Sequence, residues 1–120
     1  MDKTATIAGL KADVRKFTEE RDWDQFHTAK DMAINISLEA AEVLEPFVYK
    51  SEKQAETIMN GKKRTDIEDE LADVLWAVLM FAEKYDIDLS GALLEKMRKT
   101  ALKYPVEKAR GSNKKYTEYI

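Results

Sequence analysis

Asp31-Met-Ala-Ile-Asn-Ile-Ser-Leu-Glu-Ala-Ala-Glu-Val-Leu-Glu-Pro-Phe47 is the stretch whose reading sets the fold class. Its apolar residues recur at three- and four-residue spacing, the period of an α-helix. Laid out at about 100° per residue, Met32, Ala33, Ile36, Ala40, Val43, Leu44 and Phe47 fill one arc of that helix, and Ile34, Leu38 and Ala41 fill another. Between the two arcs runs a narrow stripe of Asn35, Glu39 and Glu42. Apolar neighbours on both sides point the stripe inward. No Lys or Arg occurs between Asp31 and Tyr49 to neutralise it. Buried unpaired carboxylates are very costly, so an inward stripe needs a cation from elsewhere, either a basic side chain or a metal. The alternative is a solvated face, the usual place of a charge run.

The rest of the chain reads the same way. A first helix is expected from Thr4 to Glu20, with Ile7, Leu10, Val14 and Phe17 on one side. The helix of the quoted stretch should run from Ala29 to Phe47, capped near Thr28 and ended near Pro46. A short helix, Glu52 to Met59, follows the capping-box pattern Ser51-Glu-Lys-Gln54 and stops at Asn60-Gly61. A second such pattern, Thr65-Asp-Ile-Glu68, opens a helix to Tyr85. A last helix spans Ser90 to Lys103 and ends before Pro105. Val106 to Ile120 reads as a basic, polar tail. The expectation is an all-α helical bundle of four main helices plus a short one, forming a single domain over residues 1–120.

Glu70-Leu-Ala-Asp73 repeats the three-residue spacing of Glu39-Ala-Ala-Glu42. Acids in a first helical turn complement the macrodipole, which accounts for Asp66, Glu68 and Asp69 but not for Asp73 in the second turn. Two helices, each with two carboxylates one turn apart, can converge on a hard divalent cation. Oxygen-only ligands favour Mg²⁺ or Mn²⁺ over zinc. A di-iron bundle site would instead want Glu-x-x-His pairs, and His27 has no Glu three residues before it.

Composition sets the outer limits. The chain has 120 residues with 23 acidic and 20 basic side chains, a net charge of −3. That balance lacks the basic stripe of a nucleic-acid binder. With no cysteine, disulfides, thiolate metal sites and cysteine nucleophiles are excluded, and one histidine excludes a multi-histidine site within a chain. No apolar run reaches the length of a membrane span. Met1-Asp-Lys-Thr4 lacks the pattern of a secretory leader, so a cytoplasmic location is expected. Apolar coverage of the four main helices is broader than one chain of this size buries easily, which predicts a homodimer or homotetramer.

The paired acids and their surroundings resemble the all-α nucleoside triphosphate pyrophosphohydrolases, the MazG-like group. Trp23-Asp-Gln-Phe-His27 is similar to the segment before the first metal helix in the dCTP pyrophosphatase branch. Ser37-Leu-Glu-Ala-Ala-Glu42, Asp69-Glu-Leu-Ala-Asp-Val-Leu75, Lys103-Tyr-Pro-Val106, Arg110-Gly-Ser112 and Lys115-Tyr116 continue the likeness over about residues 20 to 117. The resemblance implies Mg²⁺-dependent hydrolysis of a nucleoside triphosphate to the monophosphate and pyrophosphate, with dCTP or a modified pyrimidine dNTP as substrate. It implies Glu39, Glu42, Glu70 and Asp73 as catalytic metal ligands. Lys99, Lys103 and Arg110 are then candidates for phosphate, and Trp23, His27, Tyr49 and Trp76 for the base, with Phe26 left to the core. The chain differs from common family members at Tyr49, where Trp is frequent, and at Thr100, where Asn is frequent. Some relatives also carry Asn in place of Asp31. Broad NTP or dUTP/dUDP specificity is the nearest alternative, and a non-catalytic metal-binding helical module is the alternative from a different class.

Overall fold

Thr6 starts the first helix. In the computed structural model, which describes residues 1–120, its hydroxyl accepts a hydrogen bond from the Gly9 N–H at 3.0 Å, opening α1 (Ile7–Glu20). Thr4 instead belongs to a preceding turn, its hydroxyl donating to the Met1 carbonyl at 3.1 Å. The Thr28 hydroxyl caps α2 (Ala29–Leu44) by accepting from the Asp31 N–H at 3.2 Å. This helix is shorter than expected. Pro46 has no N–H to continue the ladder, and the chain tightens into a 3₁₀ turn over Glu45–Phe47. The capping box of α3 (Glu52–Met59) forms as read: Gln54 N–H donates to Ser51 Oγ at 3.2 Å, and Ser51 N–H donates to Gln54 Oε1 at 2.9 Å.

The second expected capping box does not form. α4 (Arg64–Lys84) begins earlier, with Thr65 already inside it and no side-chain cap. The turn after Asn60-Gly61 supplies the start through backbone bonds, Arg64 N–H to Gly61 O at 3.2 Å and Asp66 N–H to Lys63 O at 3.1 Å. Glu68, expected to reach back to Thr65, accepts from Arg64 Nε at 2.9 Å instead.

The chain forms two compact units, Met1–Asp86 and Ile87–Ile120. In the first, α4 is the central helix and packs against both α1 and α2, with α3 alongside. Its buried residues Ile67, Ala77, Leu79 and Ala82 meet a core completed by Val14 and Thr18 from α1 and Met32 from α2. Apolar residues on other faces of the same helices stay exposed, notably Ile34, Leu38 and Leu44 on α2 and Leu71 and Leu75 on α4.

In the second unit, the Asp88 carboxylate caps α5 (Leu89–Lys103) by accepting from Gly91 N–H at 3.1 Å. The expected tail is partly structured. Pro105 takes extended backbone at the N-cap, and its carbonyl accepts from Lys108 and Ala109, forming the one-turn helix α6 (Val106–Ala109). Gly111 follows with φ 71°, a left-handed turn that glycine adopts without strain. The tail then packs on its own aromatics: the Tyr104 ring meets Tyr116 and Tyr119 edge-on, at 5.7 and 6.0 Å. The all-helical class is as the periodicity predicts, with no strand. No helix is long and apolar enough to cross a membrane.

Candidate metal centre and adjoining cleft

Glu39 and Glu42 lie one turn apart on α2, and Glu70 and Asp73 lie one turn apart on α4. Packing of these two helices brings one carboxylate oxygen from each residue to within 4.8 Å of the others. The inward stripe is therefore real, and it faces a matching stripe. Three of the four residues are half-buried and Asp73 is exposed. The Oε2 atoms of Glu39 and Glu70 are fully buried without a hydrogen-bond partner.

Electrostatics sharpens the point. Burial, then the charges of Glu42 and Asp73, hold the Glu39 carboxyl above the ordinary glutamate range. Burial, then a hydrogen bond with Glu42 and the charges of the other three acids, does the same to Glu70. The charges acting on both are all acidic. Of the two cations that could relieve an inward stripe, a basic side chain or a metal, the surroundings match the metal. Two orphaned carboxylate oxygens among like charges fit a hard divalent cation.

Glu39 also belongs to a second feature. A cleft of about 220 Å³ is lined by Phe17 and Thr18 of α1, Trp23 and His27 of the α1–α2 connection, Asn35 and Glu39 of α2, and Trp76 and Met80 of α4. Phe17 contacts both indoles. Its ring meets Trp76 edge-on at 4.9 Å and 88°, and Trp23 at 5.9 Å and 66°. The cleft thus offers aromatic surface, an imidazole and an amide next to a carboxylate of the acidic cluster.

The model of the MazG-like family matches residues 34–119. Rat dCTP pyrophosphatase 1 is 34% identical over 114 residues, covering 94% of this chain and 67% of the relative. The human dCTP pyrophosphatase 1 is 33% identical over the same length and the same shares. A crystal structure of a pyrophosphatase from Archaeoglobus fulgidus superposes with a TM-score of 0.75 at 35% identity, over 80% of this chain and 89% of that one. The chain belongs to the MazG-like family. At the level of enzyme class, the expectation of a nucleoside triphosphate pyrophosphohydrolase holds.

Within this MazG-like chain, the sequence-based candidates divide clearly. Glu39, Glu42, Glu70 and Asp73 come together, and Trp23, His27 and Trp76 share the adjoining cleft. Tyr49 does not line it. The 3₁₀ turn forced at Pro46 swings the chain away, and Tyr49 follows with φ 61° and a fully exposed ring. Phe26, assigned to the core, is 66% exposed. Asp24 of the same turn makes the tertiary contacts instead, with Lys84 and Arg15. Lys99 and Lys103 lie exposed on α5, and Arg110 follows α6, all in the second unit. Lys103 Nζ sits 5.1 Å from the Tyr116 ring centroid.

Phe17, Thr18 and Met80 were not among the candidates. Phe17 carries the period of α1 and reads as ordinary core, and nothing local in the sequence separates a core ring from one that also walls a cleft.

Proposed function

We propose that this enzyme converts dCTP, or a modified pyrimidine deoxynucleoside triphosphate, to the monophosphate and pyrophosphate in a Mg²⁺-dependent reaction that clears the nucleotide pool. The observation that carries the reading is that Glu39 is shared by the aromatic cleft and the four-carboxylate cluster. A ligand with a planar base at one end and a phosphate chain at the other matches that juxtaposition. The relatives named dCTP pyrophosphatase support the substrate class.

Glu39, Glu42, Glu70 and Asp73 would hold the cation, Mg²⁺ with Mn²⁺ as a substitute. When bound, it supplies the positive charge that phosphoryl transfer needs in this acidic setting. Trp23 and Trp76 would present ring surface to the base, with Phe17 in contact with both indoles. His27 and Asn35 would donate or accept hydrogen bonds at the base edge or sugar. Stacking serves any base, so preference for a pyrimidine must come from such polar contacts. Lys99, Lys103 and Arg110 would neutralise the remaining phosphate charge. Water attacks the α-phosphorus, the bond to the bridging oxygen breaks, and pyrophosphate leaves whole.

The same reading takes the two units as one working domain in a cytoplasmic enzyme. It also takes the protein as a homodimer or homotetramer, because Leu38, Leu44, Leu71 and Leu75 leave apolar surface uncovered on α2 and α4.

A nucleotide panel tests the substrate. Pyrophosphate release in Mg²⁺ should show a clearly higher kcat/KM for dCTP or a 5-substituted dCTP than for dATP and dGTP. Equal turnover of purines and pyrimidines would replace this reading with broad specificity. The half-exposed indoles, Trp23 at 46% and Trp76 at 38%, are the feature that would allow it.

A further inference from the structure

One connected group of ion pairs in the first unit joins three elements and contributes no side chain to the cleft or the acidic cluster. Lys84 Nζ, near the end of α4, donates to Asp24 Oδ2 at 2.9 Å and to the Asp24 carbonyl at 3.3 Å. Arg15 of α1 donates from NH1 to Asp24 Oδ1 at 3.3 Å and from Nε to Glu83 Oε1. Glu19 Oε1 lies 3.7 Å from Arg15 NH1. Both Asp24 oxygens are thus engaged, one by each cation. The Lys84 hydrogen bond, followed by the charges of Lys84 and Arg15, holds the Asp24 carboxyl below its ordinary range.

Asp24 occupies a telling place. It immediately follows Trp23 and lies three residues before His27, in a single 3₁₀ turn over Asp24–Phe26. The start of that turn is tied to α1 by Trp23 N–H to Thr18 O at 3.1 Å and by the Phe17–Trp23 ring contact, and Gln25 Nε2 donates to Asp22 O and Oδ2 within the turn. Beyond Trp23 the only side chain that ties it to α4 is Asp24. Its own backbone bonds are Phe26 N–H to Trp23 O and His27 N–H to Asp24 O. Phe26 points into solvent and gives no apolar anchor. Asp22, just before it, takes left-handed backbone with φ 53°. The cleft is walled by α1, this turn, α2 and α4, and the ion group ties three of those four together. A binding wall carried on a loop is only as well placed as the contacts that fix the loop.

We propose that Asp24, Lys84, Arg15 and Glu83 act as a positioning clamp that sets the Trp23–His27 wall of the cleft, and so tunes nucleotide affinity without touching the nucleotide. The four are positioning residues, and the proposal rests on the reading that the cleft receives the base.

The test uses the full chain with Asp24→Asn, Lys84→Met, the conservative Lys84→Arg, and the neutral pair Asp24→Asn with Lys84→Met. Two readouts are taken, steady-state kinetics with dCTP and Mg²⁺ and intrinsic fluorescence without ligand. The chain has only two tryptophans, and both line the cleft, so emission reports on the wall independently of turnover. Asp24→Asn and Lys84→Met should raise KM three- to tenfold, leave kcat within twofold, and shift tryptophan emission. Lys84→Arg should stay near the unmodified KM and emission. If a single variant fails to fold because it strands a charge, the neutral pair decides, since Arg15 keeps Glu83 and Glu19: displaced emission with raised KM supports the clamp, and unmodified-like emission and KM overturn it. Folded single variants with unchanged KM and unchanged emission overturn it too, including when their melting temperatures fall. If the unmodified protein releases no pyrophosphate from any nucleotide, the functional reading fails, and the fluorescence comparison still decides the clamp.

Discussion

The Phe17 ring stands edge-on to Trp76, centroids 4.9 Å apart and planes at 88°. The same ring meets Trp23 at 5.9 Å and 66°, so one residue of α1 contacts both indoles. Edge-to-face pairs contribute roughly 0.5–1.5 kcal/mol beyond their buried area. Phe17→Ala should therefore cost about 2 kcal/mol of stability and several-fold in KM, with kcat less affected. Urea denaturation and a kinetic comparison with Phe17→Leu check it. An unchanged KM in the Ala variant would remove Phe17 from the account of the cleft.

Loss of a carboxylate should separate activity from stability. Glu39→Gln or Asp73→Asn should lower kcat by roughly a hundredfold or more, since even residues that merely support metal ligands cost ten- to a hundredfold. Without metal, the Glu39→Gln protein should melt at a higher temperature than the unmodified one, because a buried like-charge contact is gone. Near-normal turnover of both variants in Mg²⁺ would show that the site is misassigned.

The raised carboxyls of Glu39 and Glu70 fix the sign of a pH effect. A carboxyl whose folded value lies above its unfolded one destabilises the fold when ionised. That penalty is fully present above the folded value and is relieved as pH falls through it toward the ordinary glutamate range. Asp24 has the opposite sign, its contribution being lost as pH falls. The melting-temperature advantage of a metal-free Glu39→Gln/Glu70→Gln double variant should therefore shrink as pH falls below neutrality. Stabilisation of the unmodified protein by added Mg²⁺ should weaken over the same range, because protons compete for the ligands. An advantage that grows with acid would contradict the assignment.

The uncovered apolar residues of α2 and α4 predict assembly. Light scattering should report two or four times 13.8 kDa at micromolar concentration. Leu38→Lys combined with Leu75→Lys should reduce that mass, since the two residues are 59% and 45% exposed in a single chain. A mass of 13.8 kDa for the unmodified protein would contradict the oligomer.

Much of this molecule was legible in its sequence because its signals are periodic or local. The 3.6-residue pattern located all five longer helices, and Ser51 with Gln54 formed the cap that their spacing indicates. The Glu39/Glu42 and Glu70/Asp73 pairs were legible because one-turn spacing on two helices is itself a geometric statement. Failures came where a tertiary or neighbouring partner outbid the local one. Glu68 paired with Arg64 rather than capping Thr65, and Pro46 turned Tyr49 away from the base candidates it was grouped with. Phe26 stayed exposed while the half-buried Asp24 made the turn's tertiary contacts, with partners Lys84 and Arg15 that are 60 and 9 residues distant. No local pattern announces a contact across 60 residues. The same applies to Phe17, whose role depends on indoles carried by two other segments.

Release of pyrophosphate from dCTP, with and without Mg²⁺, is the most direct test of the central claim that these four carboxylates hold the cation for pyrophosphohydrolysis. The unmodified protein should yield dCMP and pyrophosphate in equal amounts, only when the cation is present, while Glu39→Gln measured beside it retains about a hundredth of that rate or less. Equal rates with and without a divalent cation, or release of inorganic phosphate in place of pyrophosphate, would contradict it.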